Sequence, residues 1–268
     1  MIEQDDILSD EMLPAERRQR LIDWFRDNAA GSSQDLAQMF SVSVSTIRRD
    51  LDLLASEGLV RRTHGGAVRI RSRSTFELST DQSRRVAVEE KQAIVREAMK
   101  LIEPEQSLLI DTGGVIAHIL ADQIALLDMP LTVVTNDLYV ANALTYRENI
   151  KLIVPGGTCR YGSYSLLGEP GLSFLSDIRC EIFFMSTQAI DEECVSETNL
   201  DLVQQKRAMI QSASTVVLIA DSVRFAARAL YKTAPIEDID LIITDEGLVE
   251  EDRERYHAAG HKLLIAAM

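Results

Sequence analysis

Cysteine is scarce, with three residues in 268, at positions 159, 180 and 194. Their wide spacing and the lack of any C-x-x-C pair argue against a disulfide framework and a zinc site, which leaves buried or idle thiols. No apolar run approaches the length of a membrane span. Met1 to Glu11 is acidic and lacks the basic and apolar blocks of a secretory signal, so a cytoplasmic protein is expected. Positive charge is also short, with 28 Lys and Arg against 42 Asp and Glu, a formal net charge of -14. Such a balance argues against a chain that clings to nucleic acid over its whole surface.

The deficit is not spread evenly. Between Ser41 and Arg73 stand Arg48, Arg49, Arg61, Arg62, Arg69, Arg71 and Arg73, against Asp50, Asp52 and Glu57 only. The excess acid lies mostly beyond residue 74, where it would repel non-specific DNA and leave the basic stretch as the electrostatic handle. With 46% hydrophobic and 26% charged residues the chain is ordinary globular material, long enough for two domains.

The basic stretch, Ser32 to Val68, has an ordered pattern. Ser32 with Asp35 has the spacing of a capping box, and Leu36, Met39 and Phe40 follow on one helical face, predicting a short helix over Ser33 to Phe40. Ser41-Val42-Ser43 supplies a turn and a new N-cap. Val44, Ile47, Leu51 and Leu54 then form one buried stripe of a second helix, with Ser45, Arg49 and Asp52 on the opposite side and Thr46 and Arg48 flanking them. Gly58 is placed to end that helix. Leu59 to His64 and Ala67 to Ile70 flank Gly65-Gly66, whose tolerance of positive φ suits a tight hairpin. Two helices joined by a tight turn and followed by a basic hairpin form a winged DNA reader. Arginine there can fork onto guanine in the major groove, and short hydroxyls can reach bases or phosphates. The candidate DNA-binding residues are Ser43, Ser45, Thr46, Arg48, Arg49, Arg61, Arg62, His64 and Gly65. Upstream, Pro14 opens a helix with an apolar stripe of Leu21, Ile22 and Phe25, and Trp24 beside it, that would pack under the reader. Its Arg17, Arg18 and Arg20 either touch phosphates or form a solvated face.

Residues 71–83 are polar, carry four serines and read as a linker between a winged helix-turn-helix over 14–70 and a second domain over 84–268. A helical pattern (Val86, Ile94, Ala98, Leu101) leads to Pro104. Seven short apolar runs then alternate with helical segments: Leu108–Ile110, Leu131–Thr135, Leu152–Val154, Ile182–Met185, Val216–Ala220, Leu241–Thr244 and Leu263–Ala266. This alternation argues for a Rossmann-like, mostly parallel α/β domain with helices on both faces, though it does not give the strand order.

Ligands of such sheets bind beyond the carboxyl ends of the strands, where helix N-termini attract anions. The strand ends here carry Asp111-Thr112-Gly113-Gly114, Thr135-Asn136, Gly156-Gly157 with Arg160, Ser186-Thr187-Gln188, and Asp221-Ser222 with Arg224, while Lys206 and Arg207 follow on a helix beginning near Thr198. Gly113 and Gly114 would admit a phosphate to backbone amides, Asp111 could accept sugar hydroxyls, and Asn136 could donate or accept.

The run Ser45-Thr46-Ile47-Arg48-Arg49-Asp50-Leu51, followed by Leu54, Gly58, Leu59, Arg62, His64, Gly65, Gly66 and Ala67, resembles the DNA-binding signature of the DeoR family of bacterial transcriptional regulators. The second domain is similar to that family's sensor in its Asp111–Gly113 loop, Thr135-Asn136 pair, Pro155-Gly156-Gly157 turn with Arg160, Lys206–Met209 helix and Asp221–Arg224 segment. The resemblance spans nearly the whole chain. It implies a repressor of a carbohydrate-catabolism operon, with a sensor domain similar to ribose-5-phosphate isomerase and a sugar phosphate as effector. The implied effector residues are Asp111, Thr112, Gly113, Gly114, Thr135, Asn136, Gly156, Gly157, Arg160, Lys206, Asp221 and Arg224. The chain departs from the family pattern at Gly114 and Val115, where two threonines are usual, at Ser186–Ala189 in place of a Gly-x-x-Gly, and at Arg224 in place of lysine. One reader contacts too few bases, so a homo-oligomer, dimer or tetramer, is expected on repeated or palindromic half-sites. No cofactor, metal or membrane partner is expected. The alternatives are a sugar-phosphate isomerase with an appended DNA module, using Asp111, Asp191 or Glu192 as base, and a constitutive DNA-binding protein with a silent sensor.

Overall fold

A computed structural model describes residues 13–28, 30–56, 59–62, 65–69, 73–74, 88–225 and 227–267. The chain divides into two compact units, Met1–Arg71 and Ser72–Met268.

The first unit runs α1 (Pro14–Asp27), β1 (Ala30–Ser32), α2 (Ser33–Met39), α3 (Val44–Ser56), β2 (Val60–Arg62) and β3 (Gly66–Arg69). Ser32 caps α2 by accepting the Asp35 amide at 3.1 Å, and Ser43 does the same for Thr46 at the start of α3, also at 3.1 Å. Leu21 and Phe25 of α1, Leu36 and Ala37 of α2, Ile47, Leu51 and Leu54 of α3, and Val60 and Ala67 of the wing close one small core. Met39, expected on the inner face of α2, is exposed, because the buried stripe runs through Ser33, Leu36 and Ala37 instead. The sequence pattern missed β1, which pairs antiparallel with β3 and makes the wing three-stranded, in the order β1-β3-β2. That pairing corrects the reading of Gly65-Gly66. Neither takes a positive φ. Gly66 is glycine because a Cβ would sit 2.0 Å from the Gly31 carbonyl oxygen. Gly58, Thr63 and His64 lie outside the described residues, as does most of the proposed linker.

The second unit begins with β4 (Arg73–Ser74) and α4 (Val88–Met99), then β5 (Ser107–Ile110), α5 (Val115–Ile124), β6 (Leu131–Thr135), α6 (Leu138–Leu144) and β7 (Ile150–Ile153). A short hairpin of β8 (Thr158–Cys159) and β9 (Leu166–Leu167) precedes α7 (Gly171–Ser176) and β10 (Cys180–Met185). Next come β11 (Ala189–Ile190), β12 (Cys194–Glu197), α8 (Leu200–Gln211), β13 (Ala213–Ile219), β14 (Arg228–Ala229) and β15 (Tyr231–Pro235), and finally β16 (Leu241–Asp245), α9 (Glu250–Ala258) and β17 (Leu263–Ala266). The seven apolar runs are the seven strands of one parallel sheet, ordered β17-β16-β13-β10-β5-β6-β7. Strand pleating sends Leu108 and Ile110 to a core shared with α4, α5 and α6, and Leu109 to a second core shared with α7, α8 and α9. Helices therefore cover both faces. The chain lays down β5, β6 and β7 outward in one direction, then returns to place β10 on the other side of β5. The order reverses between β5 and β10, the point of such a sheet whose carboxyl ends commonly bind ligands. An antiparallel sheet of β11, β12 and β15, the hairpin and the two-residue pair of β14 with β4 were not legible in the sequence.

Candidate functional site

Among the described residues the DNA-reading candidates lie at the start and along the first turns of one helix and on one hairpin. Ser45, Arg48 and Arg49 are exposed on α3 and Thr46 is half-buried. The hydroxyl of Ser43 lies 2.8 Å from those of both Ser45 and Thr46, which ties three short polar side chains together at the start of the helix. Arg62 is half-buried. Its Nε donates to Asp52 Oδ1 at 2.6 Å and its Nη1 to the Gly66 carbonyl, which fastens the wing to α3. Gly65 is exposed at the turn, and Arg61 lies on β2.

Arg17 belongs to neither of its expected surfaces. It is buried and donates from Nε to Asp50 Oδ2 at 2.6 Å, while Arg18 Nη1 stands 4.0 Å from Oδ1 of the same carboxylate. Asp50, next to Arg49 in sequence, is thus the inward-facing anchor of the reading helix. Both residues could have been found, since Arg17 falls four before Leu21 on the α1 stripe and Asp50 three after Ile47 on the α3 stripe.

In the second unit the candidates converge on the carboxyl edge of the sheet. Asp111 follows β5 and Ser186 follows β10, on the two sides of the reversal. The Asp111 carboxylate accepts from the Ser186 amide at 3.2 Å and from its hydroxyl at 3.2 Å. Lys206 of α8 donates to Asp111 Oδ2, to the Ser186 carbonyl at 2.8 Å and lies 3.4 Å from Glu197 Oε1. All three charged groups are buried. Burial pushes the Asp111 carboxyl up, and Lys206 and the Ser186 donors offset that only in part. Burial pulls the Lys206 ammonium the other way, but Asp111 and Glu197 outweigh it and hold its pKa above the usual lysine range. Burial thus decides the direction for Asp111, and two carboxylates on one cation decide it for Lys206.

Gly113 abuts this cluster so closely that a Cβ would lie 2.9 Å from Ala117 Cβ and 3.0 Å from Ser186 Oγ. Gly114 takes φ 61° as the N-cap of α5, which has no side-chain cap. By contrast Asp137 caps α6 and Asn199 caps α8 through their carboxylate and amide oxygens. On one flank, Thr112 Oγ1 lies 2.6 Å from Ser165 Oγ, and Asn136 donates from Nδ2 to the Leu166 carbonyl at 3.1 Å. Thr135 Oγ1 accepts the Asp137 amide, and Gly156 and Gly157 both take positive φ in the turn before β8. Arg160 is half-buried, with its amide bonded to the Ser165 carbonyl. On the other flank, Asp221 meets Lys91 of α4 at 3.1 Å and Arg224 at 3.4 Å, and Arg224 reaches the Gln188 carbonyl. Sequence reasoning missed Lys91 and Glu197. Arg207, considered as a further cation for the site, instead donates to the Thr233 and Lys232 carbonyls and ties α8 to β15.

A family model described as the DeoR-like helix-turn-helix domain matches residues 17–73, and one described as the DeoR C terminal sensor domain matches residues 86–246. The chain belongs to the DeoR family of transcriptional regulators. Family members align along nearly its whole length. The HTH-type transcriptional regulator GolR of Listeria innocua is 30% identical over 95% of this chain and 100% of its own. The putative aga operon transcriptional repressor of Escherichia coli O157:H7 is 30% identical over 94% of this chain and 93% of its own. The glycerol-3-phosphate regulon repressor of Escherichia coli K12 is 31% identical over 87% and 92%. The family member described here is a DNA-binding transcriptional regulator rather than an enzyme, with a helix-turn-helix for DNA and a sensor domain for a small molecule. Among the described residues no helix is long and apolar enough to cross a membrane.

Proposed function

We propose that the protein is a cytoplasmic repressor of a carbohydrate-catabolism operon, released from its operator when a phosphorylated sugar occupies the sensor domain. The observation that carries the DNA half is the exposed Arg48–Arg49 pair on a helix whose next residue, Asp50, is locked inward by Arg17. An anchored helix presents its arginines at a fixed angle to the major groove, where Arg49 and Arg48 read bases and Ser43, Ser45 and Thr46 meet bases or phosphates. Arg61, Arg62, His64 and Gly65 follow the backbone from the wing. A homo-oligomer places two or more such readers on repeated half-sites. The functional divisions are 14–70 for the reader, 71–83 for the linker and 84–268 for the sensor.

For the effector half, support comes from the open N-terminus of α5 at the sheet's reversal point, where Thr112, Gly113 and Gly114 offer amides and a hydroxyl to a phosphate. Asp111, Asn136 and Thr135 face the sugar from neighbouring strand ends, and Gly156, Gly157 and Arg160 close one flank. Lys206 acts through Asp111, which it orients, and Asp221 with Arg224 closes the other flank. The names of the Escherichia coli relatives, repressors of an aga operon and of a glycerol-3-phosphate regulon, support the sugar-phosphate reading. The test is fluorescence anisotropy of the DNA upstream of the protein's own gene, titrated with the protein in the presence of pentose and hexose phosphates, glycerol 3-phosphate and the free sugars. Tight binding that one phosphorylated compound reverses is expected. Tight binding that nothing reverses would leave a constitutive DNA-binding protein.

A further inference from the structure

Among the described residues the sensor unit keeps two side-chain amides in its interior with unmet hydrogen-bonding capacity, on segments that meet at one turn. Gln205, one residue before Lys206 on α8, is 1% exposed, and neither its Nε2 nor its Oε1 has a partner. Asn136, also 1% exposed, uses its Nδ2 on the Leu166 carbonyl but leaves Oδ1 unpartnered. The two approach segments that adjoin one turn. Gln205 Nε2 lies 3.7 Å from the point a Cβ would occupy on Gly171, and that same point is 2.7 Å from the Gly156 carbonyl oxygen. A Cβ on Gly157 would stand 2.8 Å from the Leu167 carbonyl, one residue after the carbonyl that Asn136 holds. Gln205 thus lies against the start of α7 and Asn136 against β9, and the turn at 156–157 adjoins both of those segments.

An unpaired buried polar group keeps its full desolvation penalty, so an amide with both ends open is stable there only if something else meets it. The kind of unmet group says what. Two of the three open atoms, Gln205 Oε1 and Asn136 Oδ1, are acceptors and call for a donor, whereas a phosphate oxygen brings only acceptors. A hydroxyl both donates and accepts. We propose that Gln205, together with Asn136, reads hydroxyl groups of the effector's carbon chain, and that the phosphate is held elsewhere. This rests on the sugar-phosphate reading above and deepens it: the effector is a polyol or sugar whose hydroxylated end points at the 156–157 turn, and Gln205 helps select which one binds.

The experiment compares wild type and Gln205→Met by isothermal titration calorimetry and by thermal melting of the full-length protein. The probes are ribose 5-phosphate, fructose 6-phosphate, galactitol 1-phosphate, glycerol 3-phosphate and inorganic phosphate. Wild type is expected to bind at least one organic phosphate more tightly than inorganic phosphate. Gln205→Met should weaken that binding by about tenfold, the size of one lost hydrogen bond to a ligand, and leave inorganic phosphate unchanged. Its melting temperature without ligand should stay level or rise, because an unmet amide has been removed. If Gln205→Met does not fold, Gln205→Leu, which likewise removes both the donor and the acceptor without adding charge, must show the same selective loss. Equal losses for organic and inorganic phosphate, or an unchanged affinity, would overturn the assignment of Gln205 while the sugar-phosphate reading stands. So would a fall of several degrees in the unliganded melt, which marks a purely structural amide. Failure of wild type to bind any organic phosphate would remove the sugar-phosphate reading and this assignment with it.

Discussion

The buried pair between Arg17 and Asp50 can be tested through Arg17→Met. Methionine keeps much of the length and apolar contact of the arginine stem but leaves the Asp50 carboxylate, 5% exposed, with Arg18 at 4.0 Å as its one remaining cation among the described residues. Removing one partner of a buried pair costs about 3–5 kcal/mol, and the remaining arginine places this case near the lower figure. A unit of this size is stable by only about 3–9 kcal/mol, so the reader should lose between about a third and all of its stability while the sensor is intact. The protein carries its own reporter. Trp24 is the single tryptophan of the chain and sits edge-on to Phe25 at 5.0 Å in the small core of the first unit. Urea unfolding of the full chain followed by its fluorescence therefore reports the reader. With a slope near 1 kcal/mol/M for so small a unit, the midpoint should fall by about 3 M. A fall of less than about 0.5 M would refute the reasoning, since only a solvent-screened pair is worth so little. Arg17→Met combined with Asp50→Leu should recover most of the loss, because the double change leaves no unpaired buried charge.

Arg49→Ala should reduce operator affinity by about tenfold to a hundredfold per half-site, the worth of one forked base contact, with effector affinity retained in calorimetry; unchanged anisotropy would remove Arg49 from the reading surface. Lys206→Met strips the buried Asp111 and Glu197 of their cation, and the carboxyl of Asp111, already pushed up by burial, rises further. An acid whose folded pKa is raised binds more protons folded than unfolded, so stability falls as pH rises above its ordinary value of 3.8. The variant should accordingly lose more melting temperature, relative to wild type, at pH 8 than at pH 5, and equal losses would place the charge of Asp111 outside the effect. Of the three thiols, Cys159 is exposed and should react with Ellman's reagent in the native state. Burial pushes up Cys180, with Glu181 adding to it, and Cys194, with Asp191 adding to it, so both should react only on unfolding.

What the sequence makes legible is whatever local periodicity encodes. The seven apolar runs became seven parallel strands, and Ser32 and Ser43 cap the helices their spacing predicted. Strand order was illegible because it depends on which distant runs meet; β11 has two residues, and β12 and β15 mix polar with apolar residues, so none reads as an apolar run. The charged residues needed a finer rule. Arg17, Asp50, Lys91 and Lys206 each fall on the apolar stripe of their helix, three or four positions from a buried neighbour, and each is buried in an ion pair. A charge on a stripe is thus a statement about an unseen partner of opposite sign. The partners of the lysines, Asp111, Glu197 and Asp221, lie at or just beyond strand ends and carry no such mark.

The reversal of strand order has a consequence for synthesis. Strands β5, β6 and β7 leave the ribosome first and can pair at once, but the other edge of β5 waits for β10, some 70 positions later in the chain. At about 5–20 residues per second that edge stays open for roughly 4–14 s, a length of Leu108–Ile110 backbone available to any other nascent strand. Asp111 belongs to the early half and Lys206 to the late one, so their contact forms only once the seam has closed. Until then the protein has the framework of a sensor with nothing yet to sense with.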